Sequence, residues 1–173
     1  MSQVHNNKIV TLIRSSAITR KYSLSAVIAP PLGLTYLATY LKAKNISVKV
    51  IDATGEGLNQ INKLDSIDAY SIGISNDEIC TMISSKSDII GISCMFSSSW
   101  LNDRDLVKKI KTKFPNSIIV LGGEHATALP EYNLKDCKGI DYIVTGEGEE
   151  TWSQIISRIK DKEILENFKY LKK

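Results

Sequence analysis

The chain has 173 residues, of which 43% are hydrophobic and 24% are charged, a composition that suits one globular domain with a real core. Its formal net charge of +3 is too small for the basic footprint of a nucleic-acid-binding protein. The three cysteines, Cys80, Cys94 and Cys137, fit no zinc or iron–sulfur spacing, and their odd number argues against a disulfide framework.

The sequence also gives an expectation for cellular location. It contains no apolar run long enough to cross a bilayer, and the segment MSQVHNNKIV lacks the charged and apolar blocks of a signal peptide. A reduced, cytoplasmic setting is therefore expected. His5 precedes the first predicted strand and is expected to be a surface residue.

Five short apolar segments are predicted to be strands. Three of them are nearly continuous in β-branched residues, as is typical of a parallel sheet buried on both faces. The predicted strands are Lys8 to Ile13, Val48 to Asp52, Asp88 to Ser93, Ser117 to Gly123 and Ile140 to Gly146.

Helical periodicity appears between these strands. Apolar residues recur there at the spacing of one helix face, and Asn102 or Asp103 is a candidate cap for the second long helix. The predicted apolar stripes are Leu34 to Leu41, Leu106 to Phe114 and Trp152 to Ile159, with a shorter helix near Ala128 to Leu134.

The segment SIGIS, from Ser71 to Ser75, is ambiguous because it echoes IIGIS at Ile89 to Ser93 and could be another strand. A loop that enters a helix is the preferred prediction. Ser75 and Glu78 have the spacing of a capping box, and apolar residues follow with helical period. Two short matches do not establish an internal repeat.

Strands that alternate with helices predict an α/β fold of the flavodoxin-like (Rossmann-like) type. The expected sheet has five parallel strands in the order 2-1-3-4-5, with helices on both faces. Sheets of this kind bind ligands outside the carboxyl ends of the strands, near the switch between strands one and three. The loops after strands one, three, four and five are therefore the candidate site.

The loops after strands one and three have unusual compositions. The first is long, and such a loop is usually functional or mobile, although an ordinary crossover with an insert is the alternative. Pro30 and Pro31 end regular structure there, and Gly33 lies near the start of the next helix. The other loop mixes serines with large apolar residues such as Met95 and Phe96. These apolar residues could line a pocket for a flat ligand or merely cap the core.

The loops after strands four and five are rich in glycine. Gly122 and Gly123 permit positive φ and a close approach to the backbone, although a glycine pair is usually only a turn. In TGEGEETW, Glu149 and Glu150 stand at a helix start, where the helix dipole favours acids; a metal site is the weaker alternative. The sequence contains neither a dinucleotide fingerprint after the first strand nor a Walker A motif.

Taken together, four segments resemble a known family. PPLGLTYLATYLKAKNISVKVIDA, DIIGISCMF, IIVLGGEHATALP and IDYIVTGEGEETW resemble, in this order, the N-terminal cobalamin-binding domain of cobalamin-dependent radical SAM enzymes. The matching motifs are P-x-G-L-x-Y-L-A, G-G-x-H-A-T-x-x-P and G-E-G-E. The resemblance covers about Lys8 to Trp152, which implies a cobalamin-binding domain over residues 1–160 and a linker to a radical SAM barrel over 161–173.

The resemblance implies that cobalamin binds with its nucleotide tail displaced from cobalt and inserted along the sheet. A side chain at Gly122 or Gly123 would then occupy the channel of the tail. Ser93 would offer a hydroxyl to the tail, and the segment from Met95 to Ser98 would lie against the corrin. The residues implied to bind the cofactor are Leu32, Gly33, Ser93, Cys94, Met95, Phe96, Ser97, Gly122, Gly123, His125, Thr127, Gly146, Glu147 and Gly148.

Two departures from related patterns limit what the chain can do. Other cobalamin proteins carry D-x-H-x-x-G after the first strand, whereas here Ile13 leads into RSSAITRK without a histidine, as in the radical SAM branch. His125 is therefore expected to organise its loop or contact a corrin amide, and not to ligate cobalt. The C-x-x-x-C-x-x-C loop and the barrel are absent from the sequence. The [4Fe-4S] cluster and S-adenosylmethionine would belong to the parent enzyme, and no catalytic or metal-ligating residue is assigned here.

The implied function is that of a cobalamin-binding module, with a radical SAM barrel in cis or in trans and a parent enzyme that performs methyl transfer or related radical chemistry. A flavodoxin-like interaction domain without cofactor is one alternative. A flavin-binding domain is the other, and it is disfavoured because the first loop lacks a compact, hydroxyl-rich phosphate cradle at the helix start. Nucleic acid is not an expected partner, and no membrane span is expected.

Overall fold

The main sheet of the computed structural model is parallel throughout, and the described residues are 8–20, 28–64, 68–158 and 170–171. His5, Ile159 and most of the expected linker lie outside them. The strands are β1 (Ile9–Arg14), β2 (Ala17–Arg20), β3 (Ser47–Asp52), β4 (Ile61–Leu64), β5 (Ala69–Ile72), β6 (Ile89–Ser93), β7 (Ile118–Gly122), β8 (Tyr142–Val144) and β9 (Tyr170–Leu171). The helices are α1 (Leu32–Ala43), α2 (Ala53–Glu56), α3 (Asn76–Met82), α4 (Trp100–Lys113), α5 (Glu124–Ala128), α6 (Pro130–Asp136) and α7 (Glu149–Arg158), and a 3₁₀ turn spans Ser97–Ser99.

The order of the main sheet confirms the predicted fold class. Its strands run β3-β1-β6-β7-β8-β9, and the first five correspond to the predicted order 2-1-3-4-5. The unpredicted β9 pairs with Ile143 and Val144 of β8. It lies inside the segment that was expected to be a linker, and the domain boundary itself stays a prediction. Because all these strands are parallel, their carboxyl ends meet at one edge of the sheet.

Helices cover both faces of this sheet because successive side chains of a strand point to opposite sides. Leu12 of β1 belongs to the core under α1 and α7, together with Leu41 and Trp152. Its neighbour Ile13 belongs to the core under α3 and α4, together with Ile110. No helix formed by residues 8–20, 28–64 and 68–158 is long and apolar enough to span a bilayer.

A second, antiparallel sheet of order β2-β5-β4 was not predicted. It includes Ser71 and Ile72, so the preference for a loop over SIGIS is wrong at these positions. The predicted capping box is confirmed, since Ser75 and Glu78 exchange both of its hydrogen bonds at the start of α3. The sheet escaped prediction because β2 pairs with a strand about fifty residues away (for example Thr19 with Tyr70), and local periodicity carries no sign of such pairing.

Two helix boundaries also differ from the predictions. Helix α4 begins at Trp100, directly after the 3₁₀ turn, so Asn102 or Asp103 as its cap is wrong. Both side chains are instead buried inside the first turn of the helix. The short helix predicted near Ala128 to Leu134 is two helices, α5 and α6, because Pro130 starts a new helix at its preferred first position.

Candidate functional site

Two cavities open at the carboxyl ends of the main sheet. The first, here called the slot, has a volume of about 300 Å³ and lies between the sheet, α1 and α7. The second, here called the hydroxyl cavity, has a volume of about 440 Å³ and lies between the end of β1, β2 and the loop after β6. Ser93 and Met95 line both, so the two cavities are adjacent.

The slot is mainly apolar. Leu12 comes from the sheet, Leu34 and Leu37 from α1, and Trp152 from α7. Gly91, in the middle of β6, lets the indole approach the strand closely, since a Cβ there would stand 2.6 Å from ring carbons of Trp152. Sequence reasoning missed these residues, although a glycine inside a buried strand was a usable sign of close packing.

Gly122 is open to the slot. A Cβ at this position would meet only the carbonyl oxygen of Val144, at 3.8 Å. Since Gly122 also lines the slot, any larger side chain would project into the space that a ligand would use. The role of Gly122 in keeping a channel open for the cofactor stays a prediction.

Gly123 is required for a different reason from the one expected. Its φ is +100°, a conformation that side-chain-bearing residues rarely adopt, and a Cβ would collide with the carbonyl of Cys94, at 2.8 Å from its carbon. The backbone also crosses closely here, because His125 N donates to Cys94 O. The expected reason, that a side chain at Gly123 would fill the channel, is corrected: it would first displace the loop after β6.

His125 lies inside the protein and is 4% exposed. Its Nδ1 is 2.8 Å from Ser97 Oγ, and its Nε2 is 2.9 Å from Asn133 Oδ1. The amide oxygen accepts from Nε2–H, so Nδ1 accepts from the serine hydroxyl. The ring also stacks near Trp100, with centroids 5.4 Å apart. Both nitrogens are therefore used in tying the loop after β6 to α6, which supports the loop-organising interpretation.

The predicted site residues fall into three groups. Gly33, Ser93, Met95, Gly122, Gly123, Gly146, Glu147 and Gly148 line the slot, and Phe96 lines the hydroxyl cavity. Leu32, Cys94, Ser97, His125 and Thr127 line neither. Leu32 is 63% exposed beside the slot, and Cys94 is buried. Thr127 accepts a hydrogen bond from Gly146 N and so supports the turn after β8 from behind.

The hydroxyl cavity has a polar floor that is held in place by its own hydrogen bonds. Thr54 Oγ1 donates to Ser15 O and accepts from Ala17 N, both at 3.1 Å. Arg14 donates through Nε to Asp52 Oδ1 at 2.7 Å and through Nη1 to Ala29 O. These contacts join the end of β1 to α2 and to the chain before α1, and the bond from Ala17 N ties β2 of the small sheet to α2.

Buried titratable groups lie behind this floor. Burial raises the pKa of the Cys94 thiol far above its usual range, with the Asp103 carboxyl adding to the effect. The thiol therefore stays protonated and unreactive. Among the described residues, no group of three or more histidine, cysteine or acidic side chains could hold a metal ion. The two cavities combine apolar walls with a few polar groups, as pockets for organic ligands do.

Comparison with known proteins identifies the family. The B12 binding domain model matches residues 25–156. The chain is 32% identical over 145 residues to cytidylyl-2-hydroxyethylphosphonate methyltransferase of Streptomyces wedmorensis, covering 83% of this chain and 27% of that protein. It is 32% identical over 131 residues to an uncharacterised methyltransferase of Pyrococcus horikoshii, covering 75% of this chain and 25% of that one.

A third relative carries a different name. Anaerobic magnesium-protoporphyrin IX monomethyl ester cyclase of Rubrivivax gelatinosus is 29% identical over 131 residues, which are 75% of this chain and 21% of the cyclase. The chain thus spans about a quarter of the length of these relatives. The family match covers the residues that line both cavities except Leu12 of the slot and the Arg14–Arg20 side of the hydroxyl cavity. On this match, the chain belongs to the B12-binding domain family.

Proposed function

We propose that this chain binds cobalamin on behalf of a radical SAM enzyme, with the nucleotide tail displaced from cobalt and inserted into the slot. Membership of the B12-binding domain family supports the choice of ligand. The names of the relatives, two methyltransferases and a cyclase, support a parent enzyme that transfers methyl groups or performs related chemistry. A radical SAM barrel, in cis or in trans, would contribute the iron–sulfur cluster and S-adenosylmethionine.

The observation that carries this proposal is the open space beside Gly122. The slot is walled by Leu37, Val144 and Trp152, which suit a flat heteroaromatic base that leaves water for an apolar surface. Its volume of about 300 Å³ stands at the lower end of typical ligand pockets. The polar groups of the slot include Glu124 and Glu147, whose carboxylates can accept hydrogen bonds from ribose hydroxyls or corrin amides.

The rest of the cofactor would rest on the rim shared by the two cavities. Met95 and Phe96 are exposed there and offer apolar surface to the macrocycle, while Ser98 and Thr19 of the hydroxyl cavity can bond the amide arms. His125 has no free ring nitrogen for cobalt. When bound, cobalamin supplies methyl-transfer or radical chemistry at cobalt. The chain itself binds the cofactor, orients it and excludes water from its tail.

A titration of the 173-residue chain with hydroxocobalamin, followed by visible absorbance and equilibrium dialysis, tests the proposal. We expect one corrinoid per chain. Electron paramagnetic resonance of the one-electron-reduced complex should lack the nitrogen coupling of a cobalt-bound benzimidazole. Retained coupling would contradict the displaced tail. Absence of corrinoid binding would favour the interaction domain, and binding of flavin mononucleotide in its place would favour the flavin domain.

A further inference from the structure

Trp152 carries a polar atom to which the proposed function gives no role. The side chain is 4% exposed and lines the slot. Its benzene edge lies over Gly91, where a Cβ would stand 2.6 Å from Cζ2 and Cη2, and its pyrrole edge lies beside Gly148, where a Cβ would stand 3.9 Å from Nε1. The indole therefore reaches from the middle of β6 to the turn after β8, and its N–H lies at the end near that turn.

The indole N–H of Trp152 has no acceptor within the residues that the structure describes. The other tryptophan, Trp100, donates its N–H to Asp136 Oδ2 at 2.9 Å, as buried indoles usually do. Among the same residues, the fully enclosed side-chain nitrogens without a partner are Asn102 Nδ2, Arg104 Nε and Asn133 Nδ2. Since Trp152 Nε1 is not one of these, its N–H reaches accessible space, and both Trp152 and Gly148 line the slot.

The displaced tail would bring an acceptor that matches this donor. When the benzimidazole leaves cobalt, the ring nitrogen that served as ligand has a free lone pair. In an apolar slot this nitrogen would lose its hydrogen bond to water, and without a donor in the protein that loss would weaken binding. A free N–H in the wall of the slot and a freed ring nitrogen on the base satisfy each other.

The charges around the slot disfavour the phosphate of the tail as the acceptor. Glu124, Glu147 and Glu149 line the slot, and among the described residues that line it none is a lysine, arginine or histidine. Carboxylates repel an anion at close range, whereas a neutral ring nitrogen meets no such repulsion. The acceptor that suits the N–H of Trp152 is therefore the base itself.

We propose that Trp152 is a specificity-determining residue, whose indole N–H donates a hydrogen bond to the ring nitrogen that the base withdraws from cobalt. The inference rests on the function proposed above. Its consequence is a selection among corrinoids. Trp152 should add affinity for corrinoids whose tail base has such a nitrogen, as cobalamin does. It should add none through this bond for those with a phenolic base, such as p-cresolylcobamide, or for cobinamide, which has no tail.

The experiment measures the Kd of the 173-residue chain for hydroxocobalamin, p-cresolylcobamide and cobinamide. Trp152→Phe keeps an aromatic ring in the slot but removes the N–H. Trp100→Phe is the matched control, because it removes an indole N–H whose partner is Asp136 and whose side chain lines neither cavity.

In Trp152→Phe, the Kd for hydroxocobalamin should rise about tenfold, as expected when a buried acceptor loses its donor. Because the smaller ring also changes the shape of the slot, the Kd for p-cresolylcobamide should rise only about twofold. The Kd for cobinamide should not change. Trp100→Phe should keep the wild-type ratios of all three dissociation constants.

A measurement on wild type makes the test independent of how Trp152→Phe folds. The chain has two tryptophans, so its proton–nitrogen correlation spectrum has two indole N–H signals, which Trp100→Phe assigns. Hydroxocobalamin should move the Trp152 N–H proton downfield, as formation of a hydrogen bond does. The same signal should not move downfield with p-cresolylcobamide.

The outcomes separate the inference from the function on which it rests. Equal losses of affinity for hydroxocobalamin and p-cresolylcobamide in Trp152→Phe would overturn the hydrogen bond and leave the proposed function in place. If Trp152→Phe does not fold, a Trp152 signal that hydroxocobalamin fails to move downfield would overturn the hydrogen bond in the same way. Failure of wild type to bind any of the three corrinoids would remove the proposed function, and this inference with it.

Discussion

The slot and the hydroxyl cavity meet at Ser93 and Met95 but are built on different principles. The slot owes its shape to missing side chains and to apolar walls, with Gly91 beneath Trp152 and Gly122 open beside it. The hydroxyl cavity owes its shape to a buried hydrogen-bond network around Asp103. We therefore expect affinity for a flat tail to depend on space in the slot, and the shape of the hydroxyl cavity to depend on the hydrogen bonds behind it.

The largest expected effect comes from filling the slot. In Gly122→Val, the new methyl groups would project into space that is now open. We expect the Kd for hydroxocobalamin to rise by about a hundredfold or more, or about 3 kcal/mol, with a smaller rise for Gly122→Ala. The free energy of unfolding in urea should change by less than about 1 kcal/mol. Normal affinity in Gly122→Val would mean that the ligand lies elsewhere.

Substitution of the neighbouring glycine, Gly123, should lower the stability of the fold. Gly123→Ala combines a φ of +100° with a collision against Cys94, and we expect a loss of about 2–3 kcal/mol in the free energy of unfolding. Gly122→Ala is the matched control, since its Cβ would meet open space. Urea denaturation of both variants makes the comparison, and equal stabilities would contradict the assigned roles of the two glycines.

His125→Ala should have an intermediate effect. It removes the hydrogen bonds to Ser97 and Asn133 and leaves buried partners unsatisfied, which should cost about 1–3 kcal/mol of folding free energy. Corrinoid affinity should fall only severalfold, through loosening of the loop after β6. The visible spectrum of bound hydroxocobalamin should be unchanged, whereas a changed spectrum would indicate that His125 is an axial ligand.

The smallest effect is expected at the exposed edge of the hydroxyl cavity. Ser98 is exposed and lines this cavity, so a hydrogen bond between its hydroxyl and an amide arm would compete with water. Ser98→Ala should raise the Kd about two- to threefold, in line with a net hydrogen bond of about 0.5 kcal/mol. A loss as large as that of Gly122→Val in parallel titrations would show that the hydroxyl cavity dominates binding.

Most of the main sheet could be predicted from the sequence because its strands and helices have local patterns. The apolar runs around Val10 and Ile119 and the stripe of α1 depend only on neighbouring residues, so their burial could be predicted. Part of the slot could be predicted for the same reason, because Gly122 and Gly146 lie at the ends of predicted strands. A family resemblance, and not periodicity, indicated which ligand these glycines would serve.

The remaining features depend on contacts between distant residues. The pairing of β2 with β5 and the bond between Ser15 and Asp103 join parts of the chain that share no local pattern. Asp103 looked like a helix cap, because a short acid near a helix start usually is one. In the structure, the 3₁₀ turn at Ser97–Ser99 is followed directly by α4, which begins earlier than predicted, at Trp100. Asp103 therefore lies inside the helix, with its side chain buried.

One comparison tests the central claim most directly. Cobinamide has the corrin ring of cobalamin but lacks its nucleotide tail, so the ratio of their dissociation constants isolates what the tail contributes. For wild type we expect cobalamin to bind at least about tenfold more tightly, or about 1.4 kcal/mol, and for Gly122→Val we expect the two affinities to converge. Equal affinities in wild type, or an undiminished preference in Gly122→Val, would contradict insertion of the tail beside Gly122.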